Sequence, residues 1–356
     1  VVSAISYTLG ANLEQLVLTG AAISGNGNGL ANVISGNAAA NILRGNGGND
    51  VLDGRAGNDA MIGGAGDDTY VVNSGGDSVT EAPGGGTDLV RSSVSFDLRS
   101  VAEVENLTLI GTGNIAGTGT NLGNVIRGNR GNNTLNGLLG NDLIDGGPGI
   151  DTMAGGDGDD VFIVDNAGDL IVEDFGSGID LVRSFVSFDL SAFAEVENLT
   201  LLGSADINAT GNGTTNDLTG NSGNNVLNGG GSPDILSGGP GNDILIGGVG
   251  VDNVQGDAGA DIYRYNTVDE GGDVITFVQA DGDRIRFQFD ADATTPTIKE
   301  PFTFIGTAPF SAPGQIRFEF IGNITVVFVN IDNDTDFETN NLISGQITLT
   351  ENDFVL

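Results

Sequence analysis

Nine-residue segments follow one another without a gap in three stretches, and that spacing admits few folds other than a coil of stacked turns. GNGGNDVLD (45–53), GRAGNDAMI (54–62) and GGAGDDTYV (63–71) form the first run. GLLGNDLID (137–145), GGPGIDTMA (146–154) and GGDGDDVFI (155–163) form the second. The third reads GGGSPDILS (229–237), GGPGNDILI (238–246), GGVGVDNVQ (247–255) and GDAGADIYR (256–264). The shared template is G-G-x-G-x-D-x-U-x, with U apolar. Degenerate copies precede each run at 36–44, 128–136 and 220–228, with Asn in the aspartate position. A second period of about 92 residues is superimposed: VSFDLRSVAEVENLTLIG (94–111) returns as VSFDLSAFAEVENLTLLG (186–203), and a diverged copy, ISYTLGANLEQLVLTG, spans 5–20. The sequence thus opens inside a repeat unit, and the natural chain is expected to continue upstream.

The template has a direct physical reading. Its glycine-rich first six residues tolerate the positive φ of a tight turn. Its last three form a short strand whose eighth residue points inward. These inward residues are Leu52, Met61 and Tyr70, then Ile144, Met153 and Phe162, then Leu236, Leu245, Val254 and Tyr263. Two nonapeptides complete one coil, so each turn stacks on the turn eighteen residues on, at a strand spacing of roughly 4.8 Å. Asp50 then stands over Asp68, Asp142 over Asp160, Asp234 over Asp252, and Asp243 over Asp261, with Asp59 and Asp151 in the alternate turns.

Ladders of carboxylates repel unless a cation lies between them. Calcium takes six to eight oxygens at about 2.3–2.6 Å, which suits aspartate oxygens and turn carbonyls. The chain has no His and no Cys, which removes the usual zinc and copper ligands. Magnesium prefers a tighter, hydrated octahedron. The expected ligands are Asp50, Asp59, Asp68, Asp142, Asp151, Asp160, Asp234, Asp243, Asp252 and Asp261. The carbonyls of Gly64, Gly66, Gly147, Gly149, Gly156, Gly158, Gly239, Gly241, Gly248 and Gly250 are expected to complete the shell. Asp77 and Asp169, nine residues past Asp68 and Asp160, are placed to close the last site of a run. Asp273 is similar but out of phase. Asn41, Asn133 and Asn225 are either structural or weak half-sites.

Composition supports the same cation. Asp and Glu number 48 against 12 Lys and Arg, a net charge of −36, and 36 of the acids are Asp, the side chain suited to turns and metal loops. Such a field repels nucleic acid and anionic lipid. No apolar run is long enough to span a bilayer. Without His there is neither a zinc-protease motif nor a Ser–His pair, and no G-x-S-x-G occurs, so no catalytic residue is expected.

These runs closely resemble the RTX, or hemolysin-type, calcium-binding repeats. The resemblance implies an all-β fold: a right-handed parallel β-roll or β-solenoid, with calcium held by the aspartates and loop carbonyls. It also suggests a secreted or cell-surface bacterial protein. The 92-residue units look like the long arrays of large exported RTX proteins. The expected domains are a solenoid over 1–264, with runs near 27–71, 119–163 and 211–264, and a β-rich cap over 265–356. Within the solenoid Val94–Leu98 reads as strand by its alternation.

The cap holds 11 of the 17 Phe and no nonapeptide. GDVITFVQADGDRIRF (272–287) and PFTFIGTAPFSAPGQIRFEF (301–320) resemble the C-terminal segment of serralysin-type secreted proteins. Strands are expected at Gln315–Phe320 and Ile324–Val329, with turns at Gly322-Asn323 and over 331–335. Asp332, Asn333, Asp334 and Asp336 lack the sixth-position Gly and twelfth-position Glu of an EF-hand loop and read as a polar turn. Asp353-Phe354-Val355-Leu356, an acid followed by three hydrophobics, resembles an uncleaved type I secretion signal, which makes the type I machinery an expected partner. Two roles follow: a module that folds on calcium after export, or a surface adhesin, surface-layer or filament subunit that self-assembles. A surface polysaccharide against Arg91, Arg127, Arg130 or Arg183 is a further expected partner.

Overall fold

A computed structural model describes residues 1–356 except 102, 175, 290, 292–299, 333 and 335. Among the described residues there is no α-helix, and none long and apolar enough to cross a membrane. The fold is all-β, a parallel β-solenoid with a β-rich C-terminal segment. The chain divides into two compact units, Val1–Asp180 and Leu181–Leu356.

Within the nonapeptide runs of the first unit the coil has the eighteen-residue step that two nonapeptides require. Leu52 pairs in parallel with Tyr70, and Met61 with Val79, so consecutive nonapeptides supply strands to different sheets. One sheet carries the row Ile34, Leu52, Tyr70, Val90, Leu107, Ile126, Ile144 and Phe162, every member fully buried. The VENLTL element belongs to this row, because Asn106–Leu109 lies between Leu89–Ser92 and Val125–Arg127. It therefore forms a coil of the solenoid without a template of its own.

The opposite side of this unit is divided. One sheet ends at Ser78–Thr80 and another begins at Phe96–Asp97. Here the alternation of 94–98 gives a shorter strand than expected. The Asp97 carboxylate accepts the Arg99 backbone N–H at 2.9 Å and starts a 3₁₀ turn over Leu98–Ser100. An Asp that finds a local backbone donor favours a turn over extension of a strand. Asp189 does the same before Leu190–Ala192 in the second unit.

In the second unit the parallel stacking runs from Leu181–Ser184 to Val274–Thr276 on one side, and from Phe188–Asp189 to Arg284–Phe287 on the other. Coils thus continue beyond residue 264. An antiparallel meander follows: Gln315–Ile321, Ile324–Asn330 and Thr339–Ser344. Its two-residue turn is Gly322-Asn323, where Gly322 takes φ 62°. The last meander strand pairs in parallel with Val274–Thr276, so the open sheet edge is covered rather than left to recruit another strand. Asn330 donates to the Asp334 and Asp336 carbonyls across the acidic turn; Asn333 and Thr335 lie outside the described residues.

Candidate metal centre

Each template aspartate is fixed by the coil before it. The Asp68 Oδ1 accepts the Asp50 N–H at 2.7 Å, Asp160 that of Asp142 at 2.7 Å, Asp252 that of Asp234 at 2.8 Å, and Asp261 that of Asp243 at 2.8 Å. The stacked pairs read from the sequence are therefore in contact, each through a backbone donor. All ten template aspartates are at most 2 % exposed. In all ten the second oxygen, Oδ2, is buried and accepts no hydrogen bond.

A buried carboxylate oxygen without a partner is costly, on the order of 1–3 kcal/mol and more when charged. Burial accordingly pushes Asp68, Asp142, Asp234 and Asp261 up to about 7, and Asp50 and Asp160 to about 6. Neighbouring carboxylates push the same way, and the backbone N–H bond to Oδ1 opposes both.

The partnerless oxygens face the glycine that opens each template. A Cβ placed on Gly238 would lie 2.5 Å from Asp243 Oδ2 and 2.7 Å from the Gly256 carbonyl oxygen. The same cradle recurs at Gly45, Gly137 and Gly229, each facing its own aspartate and the carbonyl eighteen residues on. Carboxylate and carbonyl oxygens converging on a space that a methyl group would fill form a hard-oxygen donor set, and calcium fits it. Sequence reasoning overlooked these first-position glycines, although the template contains them. Gly238 does not have positive φ, so Gly238→Ala adds bulk without backbone strain. Equilibrium dialysis of this variant should show about one calcium ion fewer than the parent; an unchanged count would remove the cradle from the site.

The second- and fourth-position glycines sit one turn above a carbonyl. Cβ atoms on Gly64, Gly66, Gly147, Gly149, Gly156, Gly158, Gly239, Gly241, Gly248 and Gly250 would each meet the carbonyl eighteen residues earlier. Gly64 and Gly66 also require positive φ, 115° and 125°. These positions bring the turns close enough for their carbonyls to stack.

Asp77 and Asp169 differ from the template aspartates. Oδ1 again accepts from the coil before, from Asp59 and Asp151 at 2.9 and 3.0 Å. Their Oδ2 atoms are also taken: Asp77 accepts Asn73 and Ser74 N–H at 3.0 and 3.1 Å, and Asp169 accepts Asn166 N–H at 3.2 Å.

In the asparagine turns the side-chain amide makes hydrogen bonds with both its oxygen and its nitrogen. Asn41 Oδ1 accepts the Asn37 N–H at 2.7 Å while Nδ2 donates to the Ala22 carbonyl at 3.0 Å. Asn133 and Asn225 repeat the arrangement with Asn129 and Ile115, and with Asn221 and Ile207.

The ladder also extends past the templates. Asp88 Oδ1 accepts the Asp68 N–H at 2.7 Å and Asp180 that of Asp160 at 2.8 Å, after coils of twenty residues. Asp273 and Asp283 accept from Asp252 and Asp261 at 3.0 and 3.1 Å, after coils of 21 and 22 residues. The short G-x-D-L-V shared by GGTDLV (85–90) and GSGIDLV (176–182) was the available signal.

No curated protein matches the chain. The RTX calcium-binding nonapeptide repeat family matches it at 26–61, 35–70, 53–79, 118–153, 140–171, 210–245 and 228–263. Those stretches merge into 26–79, 118–171 and 210–263, each holding one run and the Asn turns ahead of it. Calcium is the ion that RTX nonapeptides bind, in agreement with the all-oxygen cradles, and the chain carries RTX calcium-binding repeats over these three stretches.

Proposed function

We propose that this chain is a calcium-operated structural module of a secreted bacterial RTX protein, unfolded in the cytosol and folded outside after type I export. The observation that carries this reading is the set of ten buried Oδ2 atoms without a hydrogen-bond partner. They make the fold costly without a cation and favourable with one. Metal binding then becomes folding free energy. Extracellular calcium modules have dissociation constants of about 10⁻⁴–10⁻³ M, between the calcium levels on the two sides of the envelope. Asp50, Asp59, Asp68 and their equivalents in the other runs hold the ions, with turn carbonyls. The bound ion neutralises the ladder and ties each coil to the next. The role is structural and assigns no catalytic step.

The segment 353–356 supports the order of events. Phe354 is buried and Val355 N–H donates to the Ile285 carbonyl at 2.9 Å. If this segment is an export signal, it is readable only before the second unit folds.

A calcium titration of the chelator-stripped chain tests the proposal, with far-UV circular dichroism and light scattering recorded together. A cooperative gain of β signal near millimolar calcium with flat scattering is expected. The tandem 92-residue units favour one alternative, a self-assembling surface subunit, for which scattering would climb with the β signal. A chain fully folded in excess chelator and indifferent to calcium would refute both.

A further inference from the structure

In each of the first two periods a carboxylate from outside the nonapeptides joins the end of the ladder. Asp68, Glu81 and Asp88 bring oxygens within 4.8 Å of one another, and so do Asp160, Glu173 and Asp180. Each member of the second set lies 92 residues after its counterpart in the first. Glu81 comes from TEAP (80–83) and Glu173 from VEDF (172–175), neither of which follows the template.

Acidic clusters are common on surfaces, but these are internal. Asp68 is 1 % exposed and Asp88 fully buried, and the Oδ2 of each accepts no hydrogen bond. Asp160 Oδ2 is likewise buried without a partner. A Cβ on Gly63 would run into Asp68 Oδ2, Glu81 Oε1 and the Tyr70 hydroxyl together. A Cβ on Gly155 would run into Asp160 Oδ2 and lie 2.6 Å from Glu173 Oε1. The first-position cradle of the ordinary sites is thus present here with a glutamate added to it.

Both glutamates are held in place. Glu81 accepts from the Tyr70 hydroxyl, from Ala82 N–H at 2.9 Å and from Gly64 N–H at 3.3 Å. Glu173 accepts from Gly155 N–H at 2.7 Å, Gly156 N–H at 3.4 Å and the Ser177 hydroxyl at 3.2 Å. These donors fix the carboxylates without neutralising them. In the third run the ladder passes instead to Asp273 and Asp283.

We propose that Asp68–Glu81–Asp88 and Asp160–Glu173–Asp180 are two run-closing cation sites of a second kind, which bind calcium more tightly than the sites between nonapeptides. Affinity of an oxygen site rises with the number of charged ligands. A third carboxylate at this separation is expected to tighten binding by on the order of tenfold or more. A trivalent lanthanide, with the same preference for oxygen, is favoured further. The inference rests on calcium binding by the ladders and adds which sites fill first.

Calcium titration calorimetry of the whole chain separates the two. The parent should show a tight class of two ions ahead of the weaker ones. Glu81→Gln should leave one tight ion, and Glu81→Gln with Glu173→Gln none, while the weaker class persists. A tight class unchanged in the double variant overturns the proposal. A parent that binds no calcium at all would instead refute the functional reading.

Tyrosine-sensitised terbium emission decides the matter without touching a carboxylate. Tyr70 has Phe162 as its counterpart 92 residues on, so Tyr70→Phe imitates a side chain the fold already accepts. Emission at the lowest terbium additions should fall severalfold in Tyr70→Phe and rise in Phe162→Tyr. Emission insensitive to both changes would place the first ions elsewhere.

Discussion

With calcium removed, lowering the pH from 8 to 5 is expected to restore much of the β structure that chelation abolishes. The sign follows from the direction of the shifts. An unfolded aspartate titrates near 3.9. In the metal-free fold Asp68, Asp142, Asp234 and Asp261 titrate at about 7, and Asp50, Asp151, Asp160 and Asp243 at about 6, chiefly because they are buried. Between those limits the folded chain binds more protons than the unfolded one, so its stability falls as the pH rises. The contribution is complete below about 4 and is lost on passing through 6–7. Each unit of displacement corresponds to about 1.4 kcal/mol. Several such groups act in the same direction, against a domain stability of only about 5–15 kcal/mol. Protons and calcium are therefore alternative ways of neutralising one ladder. Circular dichroism of the stripped chain across this range makes the comparison. If its β signal is as strong at pH 8 as at pH 5, the ladders do not destabilise the metal-free fold.

Replacing Asp234, Asp243, Asp252 and Asp261 together by Asn should make the second unit fold without calcium. This runs against the usual expectation that removing ligands unfolds a metalloprotein. The asparagine turns give the reason. Asn216 and Asn225 are each 1 % exposed, and both accept a turn N–H and donate to a carbonyl of the coil before. An amide in the template position thus has a neutral solution available where a carboxylate keeps one oxygen unpaired. Each replacement removes a penalty of about 1–3 kcal/mol from the calcium-free state. It also removes the ligands, so calcium stoichiometry should fall by about two ions, one for each stacked pair. The comparison is parent against variant in chelator, by circular dichroism and calorimetry. A variant as unfolded in chelator as its parent would mean that the ladder charge is not what opposes folding.

What the sequence disclosed rests on register, and what it concealed does not depend on it. The inward row, the stacked pairs and the calcium chemistry were legible because a strict nine-residue step forces the register, and the register alone places Asp50 on Asp68. Asp88 and Asp180 were not found because the bond that joins them to the ladder, from N–H to Oδ1, asks only that two coils be adjacent. A coil two residues longer leaves that bond at 2.7 and 2.8 Å. Glu81 and Glu173 were concealed because they reach the site by side-chain length, from segments outside the nine-residue template. The strand expected over 94–98 yielded to the Asp97 turn, a local hydrogen bond that alternation does not register.

The two asparagine turns that open each run also bear on how such a chain lengthens over generations. Asn32 and Asn41 give their N–H groups to Asp50 and Asp59, as Asn124 and Asn133 do to Asp142 and Asp151, and Asn216 and Asn225 to Asp234 and Asp243. Every period therefore carries its own neutral seat for its first two carboxylates. A gene segment copied whole inherits that seat. A segment cut inside a run sets its first aspartate beside another carboxylate instead of a neutral amide. Growth by complete 92-residue duplications is thus the route that leaves each new join already satisfied.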